Sequence, residues 1–216
     1  MTQDHRDIRR EYVAEALRRA DLADDPLAQF SLWLNEALAA GVIDATAMSL
    51  ATADAEGSPR VRIVLLKAHG PEGFVFYTSY SSAKGADLAV NPRAELMFYW
   101  RELNRQVRVS GTLAKMPRAD AEAYFATRPR PSQLSAAASN QSQPIDSREA
   151  LEARVGQLEG LAALTCPQDW GGYCLNPIRF EFWQGRESRL HDRFIFEREN
   201  DHERERDVWH VTRLQP

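Results

Sequence analysis

The stretch Ala47-Met-Ser-Leu-Ala-Thr-Ala53, the turn Glu56-Gly-Ser-Pro59, Val61-Arg-Ile-Val-Leu-Leu-Lys67 and Gly73-Phe-Val-Phe-Tyr-Thr78 decide the fold class of this chain. Three short apolar or alternating runs within 32 residues, separated by Gly, Pro and acidic residues, read as consecutive strands. Ala94 to Trp100 and Gln106 to Leu113 repeat the pattern, joined around Asn104. Closely spaced strands of this kind predict a small antiparallel barrel, mainly β with flanking helices.

Helices flank this block. Asp25-Pro26 is a helix start, with Leu27, Phe30, Trp33, Leu34 and Leu38 on one face and Gly41 as the stop. Ser81 or Ser82 caps a short helix that Asn91-Pro92 ends. Pro117 opens a helix to about Thr127, and residues 129–146 read as loop with a short helix. Ser147 starts another, with Leu151, Val155 and Leu158 spaced for one buried face. Upstream, Asp7 to about Arg19 is charged and helix-prone but thinly apolar, a segment that lies over something or is mobile. Downstream, Trp170-Gly-Gly172 reads as a turn into a strand ending at Trp183. Arg193–Phe196 and Val208–Val211 close the sheet across a charged hairpin turn.

Composition removes several function classes. A chain of 216 residues with 44% apolar residues builds one ordinary domain with a real core. A formal net charge of −4 disfavours a general nucleic-acid binder. No apolar run reaches membrane-spanning length and the N-terminus carries no apolar signal segment, so a cytoplasmic protein is expected. Cys166 and Cys174 have no metal-like spacing, and no metal is expected.

The candidate chemistry is anion binding beside aromatic rings. Phe180-Glu-Phe-Trp-Gln-Gly-Arg-Glu-Ser-Arg-Leu-His-Asp-Arg193 is a strand that breaks at Gly185 and gathers Arg186, Arg189, His191 and Arg193. Arg offers planar, bidentate hydrogen bonds to phosphate and stacks on rings. This suits a flat anionic ligand, and a surface hairpin with paired charges explains it equally well. Arg62 and Lys67 put a cation at each end of an apolar strand, which also simply marks where a strand leaves the core. Tyr77, Thr78, Ser81, Ser82 and Lys84 place hydroxyls and a helix N-terminus together, as phosphate binding or plain capping requires. Tyr124 and Arg128 share a helix face near Ser132 and suit a second phosphate. Gln106, Gln141 and Ser142 are neutral groups of the kind that read a ring edge. Arg18, Arg19 and Arg213 read as a solvated charged face. No Ser-His-Asp, paired-carboxylate or HExxH motif is present, so any hard chemistry falls to a cofactor.

Taken in order, Arg9-Arg-Glu-Tyr12, Arg62–Lys67, Phe76-Tyr-Thr78, Arg128-Pro-Arg130 with Ser132-Gln133, Gln141-Ser142, and Glu181–Gly185 with Arg189-Leu-His-Asp-Arg193 resemble the pyridoxine/pyridoxamine 5′-phosphate oxidase family over nearly the whole chain. The resemblance implies an FMN-binding split β-barrel, antiparallel and Greek-key-like. It implies an N-terminal lid over residues 1–24, a barrel domain over 25–216, and a dimerisation and active-site segment from about 170. It further implies a homodimer with FMN sites at the subunit interface. FMN contacts would come from Arg62, Ile63, Val64, Leu65, Leu66, Lys67, Tyr77, Thr78, Lys84, Gln106, Gln141, Ser142, Trp183 and Arg193. Lys67, Tyr124, Arg128 and Ser132 would hold the substrate phosphate, Arg189 and His191 would act at the reacting carbon, and Arg9 and Tyr12 would close over it. The reaction implied is oxidation of pyridoxine or pyridoxamine 5′-phosphate to pyridoxal 5′-phosphate, with dioxygen consumed and hydrogen peroxide released. His191 is either a proton relay or a substrate contact on this reading.

Two positions depart from the family pattern. Ala83 stands where an Arg is usual, removing one cation from the FMN phosphate grip, and Leu134-Ser-Ala-Ala-Ala138 lacks a bulky aromatic. Two other functions share much of the pattern: a related FMN oxidase of a tricyclic biosynthetic intermediate, and a non-catalytic flavin- or pyridoxal-phosphate-binding protein.

Overall fold

The computed structural model describes residues 4, 6, 11, 12, 14–199 and 208–216. The strands are β1 (Ala47–Ala53), β2 (Pro59–Leu65), β3 (Ala68–Gly70), β4 (Gly73–Ser79), β5 (Arg93–Trp100), β6 (Arg105–Lys115), β7 (Trp170–Gln184), β8 (Asp192–Arg198) and β9 (Trp209–Leu214). The helices are α1 (Pro26–Ala39), α2 (Ala83–Val90), α3 (Arg118–Thr127), α4 (Arg130–Ala138) and α5 (Arg148–Glu159). The sheet runs β2-β1-β5-β6-β7-β4-β3, with β8 paired to β7 and β9 to β8. The β3–β4, β4–β7, β7–β8 and β8–β9 pairings are antiparallel. The long β7 serves two partners in turn: residues 170–175 pair with β4 and 179–184 with β8.

The chain divides into two compact units, and β1, β5, β6 and β7 each run from one into the other. The first unit holds residues 1–48, 96–110 and 178–216. Its core forms where α1 lays Phe30, Trp33, Leu34 and Ala37 inward. Phe30 meets Phe98 with ring centroids 4.9 Å apart, and Trp33 stands edge-on to Phe182 at 5.3 Å. Asp25 caps α1 by accepting the Ala28 N–H at 2.8 Å, a contact that typically contributes about 1 kcal/mol. The second unit holds residues 49–95 and 111–177. There β4 is buried at nearly every position, with Phe74 and Phe76 fully enclosed.

Most elements fall where the sequence predicts, with informative exceptions. Residues 14–18 are not helical; a short 3-10 turn at Arg19–Asp21 precedes α1. The segment has too few apolar positions to stabilise a helix by packing. Trp170-Gly-Gly172 is strand, not turn. Gly171 is needed there because a Cβ would collide with the Tyr80 hydroxyl, which donates to the Gly172 carbonyl at 3.0 Å. The helix from Ser147 exists, but Leu151, Val155 and Leu158 are only half-buried and α5 buries no residue fully. Ser82, not Ser81, caps α2. No described helix is long and apolar enough to cross a membrane.

Candidate active site

The second unit holds an open cavity of about 700 Å3. It forms because β2, β4, α2, α3, α4 and the segment at residues 139–142 each contribute one side. Of the residues the sequence singles out, Arg62, Ile63, Val64, Leu65, Lys67, Tyr77, Thr78, Lys84, Gln141 and Ser142, expected at a cofactor, line it, as do Tyr124, Arg128 and Ser132, expected at a substrate phosphate. Leu66, just past the end of β2, does not line it: its side chain is buried in the core at 5% exposure.

One end of the cavity is cationic. Lys84, in the first turn of α2, is buried. Its ammonium donates to Thr78 Oγ1 at 3.0 Å, Gln141 Oε1 at 2.9 Å and Ser82 Oγ at 3.2 Å. The Thr78 hydroxyl in turn donates to Gln141 Oε1 at 2.9 Å. All these partners are neutral. Burial, together with the nearby Arg62 guanidinium, pushes the Lys84 ammonium down to about 8. A buried cation held by neutral oxygens lacks a counter-ion, and an incoming anion supplies one. Arg62 itself is steadied from behind: it donates to Leu50 O at 3.0 Å and Thr52 Oγ1 at 2.8 Å and pairs with the buried Asp87 at 3.7 Å.

The other end is aromatic. Tyr77 and Tyr124 stack with centroids 4.0 Å apart, and Trp170 lies nearly parallel to Tyr77 at 5.4 Å. The Arg128 guanidinium sits 4.8 Å over the Trp170 ring. Arg128 Nη1 is buried with no hydrogen-bond partner among the described residues. An orphaned guanidinium nitrogen at a cavity wall is the donor an oxyanion needs. The residues therefore suit a ligand carrying a planar ring system and an anionic tail, and a second anion at Arg128.

Sequence reasoning missed several wall residues. Trp170, Ser79, Pro129, Ser135, Ala136 and Ser139 all line the cavity. Trp170 was hidden by the glycines after it, which mimic a turn. Ser135 and Ala136 come from the stretch that lacks a bulky aromatic and Ser139 follows it, and their small side chains keep the wall open. Ala83 also lines the cavity, as the first residue of α2. The variant Ala83→Arg is expected to bind FMN about ten- to a hundredfold more tightly, the worth of one charge-assisted hydrogen bond. Equilibrium dialysis of FMN against both proteins measures it, and equal affinities refute the added contact.

The remaining candidates lie in the first unit and do not line this cavity. His191 is half-buried; its Nδ1 accepts the Arg186 N–H at 3.1 Å, so the neutral ring carries its proton on Nε2. Burial, then Arg189, lower the His191 pKa, while Asp192 opposes the shift. Tyr12 stands edge-on to Trp183 at 5.7 Å and to His191 at 5.4 Å. Arg189 is exposed and has φ of 60°, following Ser188 at 54°, two left-handed residues that each cost about 1 kcal/mol. Arg193 is committed to the buried Glu181, donating from Nε at 2.8 Å, and to Gln215 O at 3.1 Å. Gln106 is half-buried in β6. Arg9 lies outside the described residues. Arg213 pairs with Asp192 and Arg19 with Asp24, so both have carboxylate partners.

Comparison with known proteins gives this geometry a context. Residues 34–162 match the model of the pyridoxamine 5′-phosphate oxidase family, and residues 170–216 match the pyridoxine 5′-phosphate oxidase C-terminal dimerisation region. A pyridoxine/pyridoxamine 5′-phosphate oxidase of Hydrogenovibrio crunogenus is 52% identical over 216 residues, 99% of each chain. One from Rubrobacter xylanophilus is 49% identical over 212 residues, 97% of this chain and 95% of its own. Among solved structures, PhzG from Burkholderia lata, in complex with tetrahydrophenazine-1-carboxylic acid, superposes with a TM-score of 0.87 at 31% identity, covering 94% of this chain and 99% of its own. A pyridoxamine 5′-phosphate oxidase-related, FMN binding protein from Nostoc punctiforme superposes with a TM-score of 0.70 at 18% identity, covering 87% and 97%. The split-barrel fold that the family resemblance implies, and the antiparallel barrel that the strand pattern predicts, are what the structure shows.

Proposed function

We propose, from the premise that this chain belongs to the pyridoxine/pyridoxamine 5′-phosphate oxidase family, that it oxidises pyridoxine and pyridoxamine 5′-phosphate to pyridoxal 5′-phosphate with FMN in the cavity of its second unit. The observation that carries this reading is a pair of cations on the walls of one cavity: Lys84, buried among neutral oxygens, and Arg128, whose buried Nη1 has no hydrogen-bond partner among the described residues. When bound, FMN supplies the acceptor for a hydride equivalent and passes the electrons to dioxygen, which leaves as hydrogen peroxide.

The protein's own groups position and exclude. Lys84, Thr78 and Gln141 form a preassembled cradle for the cofactor phosphate, so little ordering is needed when it arrives. Arg128 and Ser132, with Lys67 and Tyr124, hold the substrate phosphate; fixing a reactant in this way removes several kcal/mol of a barrier. Arg189 stabilises negative charge developing on the substrate ring. His191 serves as a hydrogen-bond donor through Nε2: while Nδ1 accepts from Arg186, the neutral ring has no free nitrogen with which to take a proton. This favours the substrate-contact role over the proton relay. Trp183, Gln106 and Arg193 complete the flavin site from the partner subunit of a homodimer, consistent with the dimerisation region over residues 170–216. Arg9 and Tyr12 cover the substrate, and the protein works in the cytoplasm.

Purified protein, read by visible spectroscopy and then given pyridoxine 5′-phosphate in air, tests the proposal. It is expected to be yellow, and peroxide and aldehyde absorbance rise together. A yellow protein that consumes no oxygen would instead be a flavin store. Faster turnover of a phenazine-type tricycle would point to the activity suggested by the PhzG likeness, which rests on lower identity than the relatives named for the vitamin phosphate.

A further inference from the structure

The corner between β7 and β8 carries more than His191. Asp192, the first residue of β8, is 4% exposed, and three donors from separate parts of the chain converge on its carboxylate. The Leu17 N–H donates at 3.0 Å, Arg186 Nε lies 3.7 Å away, and Arg213 forms a close ion pair. The Arg186 guanidinium also donates to the Ala14 carbonyl. Residues 14–17, which have no regular structure of their own, are thus tied at both ends: a carbonyl to Arg186 and an N–H to Asp192.

Just upstream, the Tyr12 ring meets Trp183 and His191 edge-on. Its seat is Gly185, where a Cβ would come within 2.6 Å of Tyr12 Cδ1. Arg186 acts twice, its backbone N–H orienting His191 and its side chain holding the segment. A buried carboxylate that accepts a backbone N–H this far away in sequence, and is balanced by two guanidinium groups, is not explained by the sheet, because β8 pairs through its backbone.

We propose that Asp192 is a positioning residue: it anchors residues 14–17 as a strap, and the strap sets Tyr12 against His191 and Trp183, the groups assigned above to substrate and flavin. The proposal rests on the function given above for its catalytic consequence, but not for the anchoring itself. Losing the anchor frees the strap without touching the cavity that holds the cofactor. The cost falls on substrate binding, and the flavin stays bound.

Two variants of the full-length holoenzyme test this. In Asp192→Asn, amide hydrogen exchange at Leu17 is expected to quicken by about tenfold or more, while β8 amides keep their protection. KM for pyridoxine 5′-phosphate rises by about tenfold with kcat within about twofold and the flavin spectrum unchanged. Gly185→Ala removes the Tyr12 seat and leaves Asp192 alone; it is expected to reproduce the rise in KM with Leu17 still protected. Unchanged exchange at Leu17 in Asp192→Asn overturns the anchor, and an unchanged KM in Gly185→Ala overturns its link to the site. The second variant keeps the idea testable if the first does not fold. The exchange measurement needs no substrate, so it stands apart from any failure of the proposed activity.

Discussion

Lys84→Met is expected to lower FMN affinity by about ten- to a hundredfold, the range for loss of a charge-assisted hydrogen bond of roughly 1.5–3 kcal/mol. The wild-type ammonium is buried and held by Thr78, Ser82 and Gln141, none of which carries charge. The unbranched Met side chain fills the same space, so the loss reports the charge and not a void. The same residue gives FMN binding a pH dependence with a definite sign. In the empty site Lys84 loses its proton at about 8, and a bound phosphate favours the charged form and raises that value. Affinity is therefore fully present below pH 8 and falls as pH rises beyond it. At the acid end, the phosphate loses its second charge below about pH 6. Fluorescence titration of FMN from pH 6 to 10 is expected to show a plateau and then a decline in the wild type, with a flat alkaline limb in Lys84→Met. A decline of equal steepness in both proteins would remove Lys84 from the phosphate grip.

Arg189→Ala is expected to lower turnover of pyridoxine 5′-phosphate by about a hundredfold or more, the usual loss when one group that stabilises developing charge is deleted. FMN remains bound, because Arg189 lies outside the cavity lining. The backbone adds a control. Arg189 holds φ of 60°, a conformation that glycine adopts without penalty, so Arg189→Gly keeps or gains stability while losing the same activity. Single-turnover flavin bleaching under anaerobic conditions separates the chemical step from release of product. Wild-type rates in either variant exclude Arg189 from the reaction.

The sequence carried the fold well where local rules and burial agree. Gly73 to Ser79 and Ala47 to Ala53 alternate or run apolar between clear turn residues, and both are strands within a residue of the predicted limits. It misled where tertiary contacts set the local conformation. Gly171 and Gly172 look like a turn, yet they lie in a strand paired with Thr78 and Tyr77 of β4, where Tyr80 and Met116 leave no room for a Cβ. Residues 14–17 look helix-prone, yet the Ala14 carbonyl and the Leu17 N–H are taken by Arg186 and Asp192, far along the chain.

The candidate site shows the same division. Residue type and spacing pick out Lys84, Arg128 and Tyr124 as anion and ring partners, and they share one cavity. Spacing does not reveal that Arg193 is neutralised by Glu181, that Leu66 turns inward, or that Trp170 joins the Tyr77–Tyr124 stack. Those facts depend on which side chains a strand register brings together, and no short window of sequence contains them.

The most direct measurement is a crystal structure of the protein soaked with FMN and pyridoxal 5′-phosphate. The flavin phosphate is expected within hydrogen-bond distance of Lys84 Nζ and Thr78 Oγ1, and the vitamin phosphate on Arg128. A flavin bound elsewhere, with Lys84 and Arg128 still without an anionic partner, would contradict the account.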